Sequence, residues 1–432
     1  MSRTMKDSKI PFAPQIPETW KEIPNRFLFL EHSSKVGERW KEYQLLSLTT
    51  NGVKEKNIND TGGKVPDSYD NYQTVEKGDM VFCLFDLDCS AVFSGLSTYD
   101  GMITSAYDVF RTNEKYLDST YARFWFDYVF SRRYYKMFSK NIRYTITTDV
   151  FKSIYTPCPP IAEQKRIGAF LDKKCSEIDE MISLQEKIVE ELKAYKQSVI
   201  TEAVCKGLNP DVPMKDSGYE WLGTVPETWR IEPLKYVLRR RNEKNSPVKS
   251  NERLSLSIGI GITRYEDKTT NLDRFKDDFT QYQLAYPNDI VLNSMNMIVG
   301  AVGMSKFFGC VSPVYYVMTT NPPFVPSYYA YLLNIPTIRW VYHSLGKGIY
   351  AIERGEGRVN TCRLKVPFED FGRIEIPVPP IQEQQTIADY LDKKCSEIDA
   401  LISLKQSKIE ALREYKKSII YEYITGKKEL NG

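Results

Sequence analysis

Basic and aromatic residues alternate at two places in this chain, and that pairing is the clearest chemistry the sequence offers. The first place reads Arg132-Arg133-Tyr134-Tyr135-Lys136 and, a few residues on, Lys140-Asn141-Ile142-Arg143-Tyr144. The second is split between Arg239-Arg240-Arg241 and a glycine-rich stretch, Gly346-Lys347-Gly348-Ile349-Tyr350, which runs on through Arg354 to Arg358. A guanidinium is a planar fork that matches both a phosphate and the edge of guanine. Tyrosine adds a flat apolar body with a hydroxyl, and glycine lets backbone approach a duplex closely. The candidate nucleic-acid contacts are therefore Arg132, Arg133, Lys136, Lys140, Arg143 and Tyr144 in the first half, with Arg239, Arg240, Lys347, Tyr350, Arg354 and Arg358 in the second. The ordinary alternative for any single charge run is a solvated face. Two runs in corresponding halves of one chain favour binding.

Other chemistries find little to work with. There are two histidines, His32 and His343, far apart in sequence, and none of the eight cysteines forms a C-x-x-C pair. No local motif assembles a zinc site or a histidine-based triad, and no G-x-x-x-x-G-K-[ST] loop is present to hold ATP. The formal charge is +3, so any basic surface must be local. Residues 1–14 lack an apolar signal core, and no run of about 18 apolar residues occurs. The expectation is a soluble, cytoplasmic binder with free thiols, no metal and no cofactor of its own.

One motif argues for catalysis. Asn321-Pro322-Pro323-Phe324 resembles the N-P-P-[YF] loop of adenine-N6 methyltransferases, where the asparagine holds the target amine and the aromatic stacks on a flipped base. Such an enzyme also needs a glycine-rich turn between a strand and a helix for AdoMet. The best candidate, Ser257-Ile258-Gly259-Ile260-Gly261, has no clear helix after it. The motif is expected to be a prolyl loop between a strand and a helix.

The elements that must position these residues are repeated. Pro159-Pro160-Ile161-Ala162-Glu163-Gln164 returns as Pro379-Pro380-Ile381-Gln382-Glu383-Gln384, an offset of 379 − 159 = 220. At that same offset, nine residues from Leu171 to Asp179 recur unchanged as Leu391 to Asp399. Earlier in each half, Pro17-Glu18-Thr19-Trp20 matches Pro226-Glu227-Thr228-Trp229, an offset of 226 − 17 = 209. The block between the two motifs is thus longer in the second half. Inside it the similarity is faint: Gly101-Met102-Ile103 aligns with Gly309-Cys310-Val311, and Tyr121-Ala122 with Tyr329-Ala330. Before its Pro-Glu-Thr-Trp the first half is read as lacking a counterpart of Gly218-Tyr219-Glu220-Trp221-Leu222-Gly223.

The repeated segments read as long helices. From Glu163 to Lys206 there is no proline and one glycine. A seam with heptad spacing runs through Leu171, Cys175, Ile178, Ile182, Gln185, Val189, Leu192, Lys196, Val199 and Ala203. Its second copy is Leu391, Cys395, Ile398, Ile402, Lys405, Ile409, Leu412, Lys416, Ile419 and Tyr423. Glu163 and Glu383 lie near the helix starts, where the dipole favours them, and Gly207 and Gly426 sit where a left-handed cap is wanted. Each helix would be roughly 60 Å long and needs a partner for its stripe. The other copy, in antiparallel pairing that puts the variable blocks at opposite ends, is the nearest one; a second copy of the chain is the alternative. Residues 207–218, rich in turn chemistry, form a linker. Strands are expected at Asp79–Phe85, Ala106–Arg111, Asp289–Leu292 and Val314–Thr319, and helices at Ser119–Ser131 and Ser327–Leu333.

Prolines followed by Glu-Gln, then a heptad helix ending near a glycine, twice per chain, together with the linker leading into Pro226-Glu227-Thr228-Trp229, resemble the specificity subunit of type I restriction-modification systems. The resemblance spans the whole chain. It implies an α+β fold with a pseudo-two-fold internal repeat, in which two α/β target recognition domains are separated by two long antiparallel coiled-coil helices. Its parts would be recognition domain one at 1–158, spacer helix one at 159–208, linker and recognition domain two at 209–378, and spacer helix two at 379–432. It also implies a non-catalytic, DNA-binding role. Each domain would read half of a bipartite double-stranded site in the major groove, while the helices set the gap and dock two modification (methyltransferase) subunits. AdoMet would belong to those subunits, ATP and magnesium to restriction (translocase) subunits that join them, and no membrane would be involved. A stand-alone adenine methyltransferase and a coiled-coil scaffold with no nucleic-acid role are the competing readings.

Overall fold

A computed structural model of the chain describes residues 3–58, 68–139, 144–268, 278–349, 353–354, 358–359 and 363–430. The chain divides into two compact units, Met1–Glu186 with Gln406–Gly432, and Lys187–Lys405. The dividing points fall inside the two long helices, Ile161–Lys206 and Ile381–Ile424, so each unit owns part of both.

The core of the first unit is a four-stranded antiparallel sheet, ordered Phe29–Glu31, Asp108–Thr112, Asp79–Phe82, Ser94–Leu96. Strand side chains alternate between the two faces, and here both faces are covered. Met80, Phe82 and Phe110 point into a large aromatic cluster with Phe126 and Phe151. Val81 and Val109 point the other way, into Leu46, Leu48, Val53, Val75 and Ile103. The helix Ser119–Ser131 closes the aromatic side. It starts where the Asp118 carboxylate accepts from the Tyr121 amide at 3.0 Å.

The second unit repeats this plan. Its sheet runs Leu238–Arg240, Tyr315–Thr320, Ile290–Asn293, Val302–Met304. Ile290 and Leu292 face the larger cluster, and Val291 and Val317 face Leu254, Leu256, Ile262 and Val311. In both units a closing strand, Tyr155–Cys158 or Glu375–Val378, pairs with Lys21–Pro24 or Arg230–Pro233 and leads into a long helix.

Two readings from sequence need correction. First, the first unit does have the arm before its Pro-Glu-Thr-Trp. Met5–Asp7 pairs with Gln15–Pro17 just as Met214–Asp216 pairs with Thr224–Pro226. Met-Lys-Asp-Ser opens both arms, at residues 5–8 and 214–217, so Lys9–Pro14 is the counterpart of Gly218–Gly223. The Lys6 ammonium donates to the carbonyls of Glu18 and Trp20 at 2.9 and 2.6 Å, and Lys215 does the same to Glu227 and Trp229 at 2.8 and 2.7 Å. The intervening six residues share no side-chain pattern, which hid the match.

Second, the equivalent of Tyr121 is Tyr328, not Tyr329. The Tyr121 hydroxyl donates to the Ile424 carbonyl at 3.2 Å and the Tyr328 hydroxyl to the Val204 carbonyl at 2.8 Å; Ile424 and Val204 are themselves 220 apart. Gln164 and Gln384 fix the same register by accepting from the Asp118 and Val325 amides at 2.8 and 3.1 Å. The loop before the helix is one residue shorter in the second unit, which shifts the alignment by one.

The long helices pair antiparallel within each unit. In the first, Lys416 meets Asp179 and Arg413 meets Glu186 at 2.9 Å; in the second, Lys196 meets Asp399. Leu171, Cys175 and Ile178 are buried with Ile419 and Tyr423, with half-buried Ile182 and Leu412 packed beside them. In the second unit Leu391 packs with Ala203 and half-buried Val199, while Ile398 is buried and Leu192 and Ile402 are half-buried. Gly207 and Gly426 end the helices at φ +79° and +70°. A Cβ on Gly426 would stand 2.3 Å from Pro17 Cγ, so only glycine fits there.

Candidate nucleic-acid interface

Some of the basic candidates have structural work. Arg133, at φ +55°, donates to the carbonyls of Leu87 and Ser90 at 3.2 and 2.8 Å and lies over the Phe130 ring. The Lys136 ammonium is 3.9 Å from the Tyr144 ring centroid, and the Tyr144 carbonyl accepts from the Leu87 amide at 3.3 Å. Arg133, Lys136 and Tyr144 thus converge on the 86–90 loop that follows a central strand. Arg132 is exposed at the end of the helix Ser119–Ser131. Lys140 and Arg143 lie outside the described residues.

In the second unit Arg239 is exposed on the edge strand Leu238–Arg240. The Arg240 guanidinium sits over Tyr316 and Phe368, 5.0 and 5.2 Å from the ring centroids. Lys347 is largely exposed, with its ammonium 2.9 Å from Asp370. Arg354 and Arg358 oppose each other on two short paired strands. Tyr350 lies outside the described residues.

The third arginine of the 239–241 run serves the scaffold. Arg241 binds Asp289 through two hydrogen bonds, 2.7 and 2.9 Å, and the same carboxylate accepts from the Tyr286 amide at 2.8 Å. The Asp289 hydrogen bond holds the guanidinium above its ordinary pKa. In the first unit Asp79 stands in that place. It accepts from the Glu76 amide at 2.8 Å and from Arg111 at 3.0 Å, and it lies 3.2 Å from His32. Each buried carboxylate ties a turn to a strand, so Arg111 and Arg241 are matched locally and are poor candidates for phosphate.

The Asn321-Pro322-Pro323-Phe324 loop is structural too. The Asn321 side-chain amide donates to the Tyr236 carbonyl at 2.9 Å, and Asn113 does the same to Phe27 at 3.1 Å in the first unit. Phe324 packs edge-on against Tyr329, with ring centroids 6.1 Å apart. The stretch 257–261 is the turn of a hairpin between strands Leu254–Ser257 and Gly261–Arg264, and it is followed by a strand, not a helix. A methyltransferase reading therefore has neither a presented asparagine nor a cofactor turn in these segments.

Sequence periodicity passed over one further surface. The position just before several seam residues carries an exposed apolar side chain. In the first unit these are Met181, Leu184 and Tyr415; in the second, Leu401, Leu404 and Tyr195. Leu404 is 64% exposed and Tyr415 55%. Each pair of equivalents, Met181 with Leu401, Leu184 with Leu404 and Tyr195 with Tyr415, is 220 apart, and that repetition was the available signal. Apolar residues are thus left out in water at matching places in both units.

Fold and site together define a class of architecture: one scaffold used twice, with unlike surface residues on two units that share a pair of long helices. Comparison with known proteins gives what the chain is similar to. Residues 226–414 match the family described as Type I restriction modification DNA specificity domain. Two specificity subunits from Methanocaldococcus jannaschii, those of the MjaX and MjaVIII type I restriction enzymes, are 26% and 25% identical over 66% and 64% of this chain. The matches cover 61% and 63% of those relatives, so the chain spans less than two thirds of their length. A chain from a solved structure of the type I R-M system superposes with a TM-score of 0.68 at 14% identity, covering 96% of this chain and 99% of that one. The HsdS subunit from Thermoanaerobacter tengcongensis gives 0.52 at 15%, covering 96% and 98%. Likeness at that identity shows the fold. Residues 226–414 are thus similar to the specificity domain of type I restriction-modification systems, and the α+β architecture with two recognition domains is the fold of the solved subunits on which the chain superposes.

Proposed function

We propose that this chain is the DNA-recognition subunit of a type I restriction-modification complex and is itself non-catalytic. Each unit reads one half of a bipartite duplex site from the major groove, and the two shared helices set the gap. The carrying observation is the repeated scaffold. The same hydrogen bonds from Tyr121 and Tyr328, the same lysine-closed arms and the same buried aspartates build both units. The surface residues, by contrast, differ: Arg132, Lys136 and Tyr144 in one, Arg239, Arg240 and Lys347 in the other. One frame with two faces suits two unlike half-sites.

The exposed triplets Met181, Leu184, Tyr415 and Leu401, Leu404, Tyr195 support docking of two modification subunits, one per triplet. In this reading AdoMet is held by those subunits, and ATP and magnesium by restriction subunits that join later. The test is selection of bound duplexes from a randomised pool by the full chain, alone and with its modification subunits. A bipartite motif with a fixed gap is expected; a single contiguous motif overturns the reading. Arg132→Ala and Arg239→Ala should each lower the salt dependence of binding by about one unit if they touch phosphate.

A further inference from the structure

Glu31 and Arg240 occupy the same place in the two units. Each ends the edge strand of its sheet, Phe29–Glu31 or Leu238–Arg240, and each lies opposite a buried apolar residue of the neighbouring strand, Phe110 or Met318. The short helices Thr148–Ser153 and Phe368–Gly372 contribute to both places at an offset of 368 − 148 = 220, with Phe151 and Phe371 buried in the two cores.

In the first unit this place is closed. The Lys152 ammonium pairs with the Glu31 carboxylate and, through that hydrogen bond, holds it below the ordinary carboxylate range. Asp108, on the neighbouring strand, accepts from the Thr148 hydroxyl at 2.6 Å. In the second unit all four groups differ. Arg240 stands for Glu31, Gly372 for Lys152, Tyr316 for Asp108 and Phe368 for Thr148. One scaffold position has gone from a self-neutralised pair to a lone cation between aromatic rings.

That cation is held but not matched. The Arg240 guanidinium lies 5.0 Å from the Tyr316 ring centroid and 5.2 Å from that of Phe368. The two rings meet edge to face, 5.3 Å apart, and the Tyr316 hydroxyl is fixed by donating to the Val366 carbonyl at 2.9 Å. Arg240 Nε is buried with no hydrogen-bond partner among the described residues. The nearby carboxylates are taken: Glu243 and Asp289 pair with Arg241, and Asp370 pairs with Lys347. The first unit builds the same core around a neutralised pair, so packing does not call for an unpaired charge.

Stacking uses the faces of a guanidinium and leaves its in-plane N–H groups for a bidentate anion. Partial exclusion of water strengthens the attraction to that anion. Half-burial decides which part of a duplex supplies it. A base edge lies at the floor of a groove about 8.5 Å deep and suits a side chain that projects. Phosphates line the rim, within reach of a side chain packed against its own domain.

We propose that Arg240, positioned by Tyr316 and Phe368, anchors a backbone phosphate of the half-site bound by the second unit. The first unit has no such anchor at this place, because Glu31 already neutralises Lys152. The inference rests on the DNA-recognition reading above and assigns a sequence-independent contact to one unit only.

The experiment measures how the full chain, with its modification subunits, binds its selected duplex as salt is raised. Arg240→Gln should lower the slope of log K against log salt by about one unit and weaken all second-half-site sequences alike. Glu31→Gln/Lys152→Gln, which removes a neutral pair, should leave the slope unchanged. Replacing the phosphates of the second half-site one at a time by uncharged methylphosphonates should weaken the unaltered chain at one position, by roughly tenfold to a hundredfold. Arg240→Gln should be indifferent to that replacement. Phe368→Leu should blunt the sensitivity at the same phosphate, and Phe368→Tyr should keep it. An unchanged slope for Arg240→Gln, or a loss confined to one base pair, would overturn the anchor while leaving DNA recognition standing. Uniform tolerance of methylphosphonates by the unaltered chain would overturn it whatever the variants do. A slope lowered by one unit in Glu31→Gln/Lys152→Gln would overturn the difference between the units. No bipartite preference in the unaltered chain would overturn the recognition reading and, with it, this one.

Discussion

The Lys416 ammonium stands 2.7 Å from each carboxylate oxygen of Asp179, and its repeat equivalent Lys196 holds Asp399 at 2.7 and 2.6 Å. These lysines interrupt the apolar seam, and each is matched by an aspartate from the opposing helix. Polar seam residues specify register at some cost in stability. Both partners are partly exposed, so the coupling in each pair should be about 0.5 kcal/mol. Lys416→Asp should lower the unfolding midpoint, and adding Asp179→Lys should restore most of it, with the difference shrinking in 1 M salt. Calorimetry on the two single variants, the double and the parent checks this. A double variant no better than the worse single would show that the pair does not set register.

Ile178 and Ile398 are buried seam residues. A glutamate there would be buried without a partner, so Ile178→Glu or Ile398→Glu should destabilise its unit by about 3 kcal/mol or more. Helical circular dichroism on heating would show it as an early loss of signal. Glutamate at Met181, three positions on and exposed, should leave the melt unchanged. Equal effects at 178 and 181 would mean that the seam has been placed on the wrong side of the helix.

The helices and the repeat could be read directly because both are periodic signals: nine identical residues at one offset, and apolar positions every three or four. Sheet strands such as Asp79–Phe82 were also legible, since four consecutive buried residues between turns leave little choice. The arm Met5–Pro17 carried a signal that was passed over: Met-Lys-Asp-Ser recurs at 5–8 and 214–217, but the unlike residues that follow, 9–14 and 218–223, masked the shared hairpin that Lys6 and Lys215 close onto backbone carbonyls. Nor could sequence separate Arg241 from Arg239 and Arg240. Three adjacent arginines look alike until Asp289, 48 residues away, takes one of them. The second apolar stripe on the long helices was hidden because an exposed leucine and a buried one have the same letter.

The paired tyrosines test the repeat alignment. Tyr328→Phe removes the hydroxyl that donates to the Val204 carbonyl and leaves that buried acceptor without it. Tyr121→Phe removes the same kind of bond to Ile424 and a second, at 3.0 Å, to Pro157. Each should cost about 1–2 kcal/mol. Tyr329→Phe, at the position aligned by sequence alone, should cost less, since no such helix-end carbonyl accepts from it. Urea unfolding of the three variants decides the matter; a larger loss at 329 than at 328 would reverse the alignment.

Burial pushes the thiols of Cys158 and Cys205 up to about 12, and those of Cys175 and Cys310 to about 11. The thiolate is the reactive form, so at pH 8 these four should stay protonated and shielded. Cys89 is exposed. An aromatic disulfide reagent at pH 8 should modify Cys89 within minutes and the four buried thiols only on unfolding. Mass mapping that found Cys158 labelled as fast as Cys89 would show that this part of the core opens freely.

The exposed triplets make the strongest demand on the proposed assembly. Within the first unit, the Lys416–Asp179 and Arg413–Glu186 bonds bring the second helix around Tyr415 alongside the stretch of the first that carries Met181 and Leu184. A partner helix laid there would bury three large apolar side chains, and truncating such anchors commonly costs more than 1 kcal/mol each. Met181→Glu with Leu184→Glu should therefore weaken modification-subunit binding at this unit at least tenfold, with the fold intact because both positions already face water. Leu401→Glu with Leu404→Glu should do the same at the second unit. Native mass spectrometry of the reconstituted complex should then show two partners on the parent chain, one on either double variant and none on the quadruple variant. Two partners retained by the quadruple variant would place docking elsewhere and leave the repeated stripe without this role.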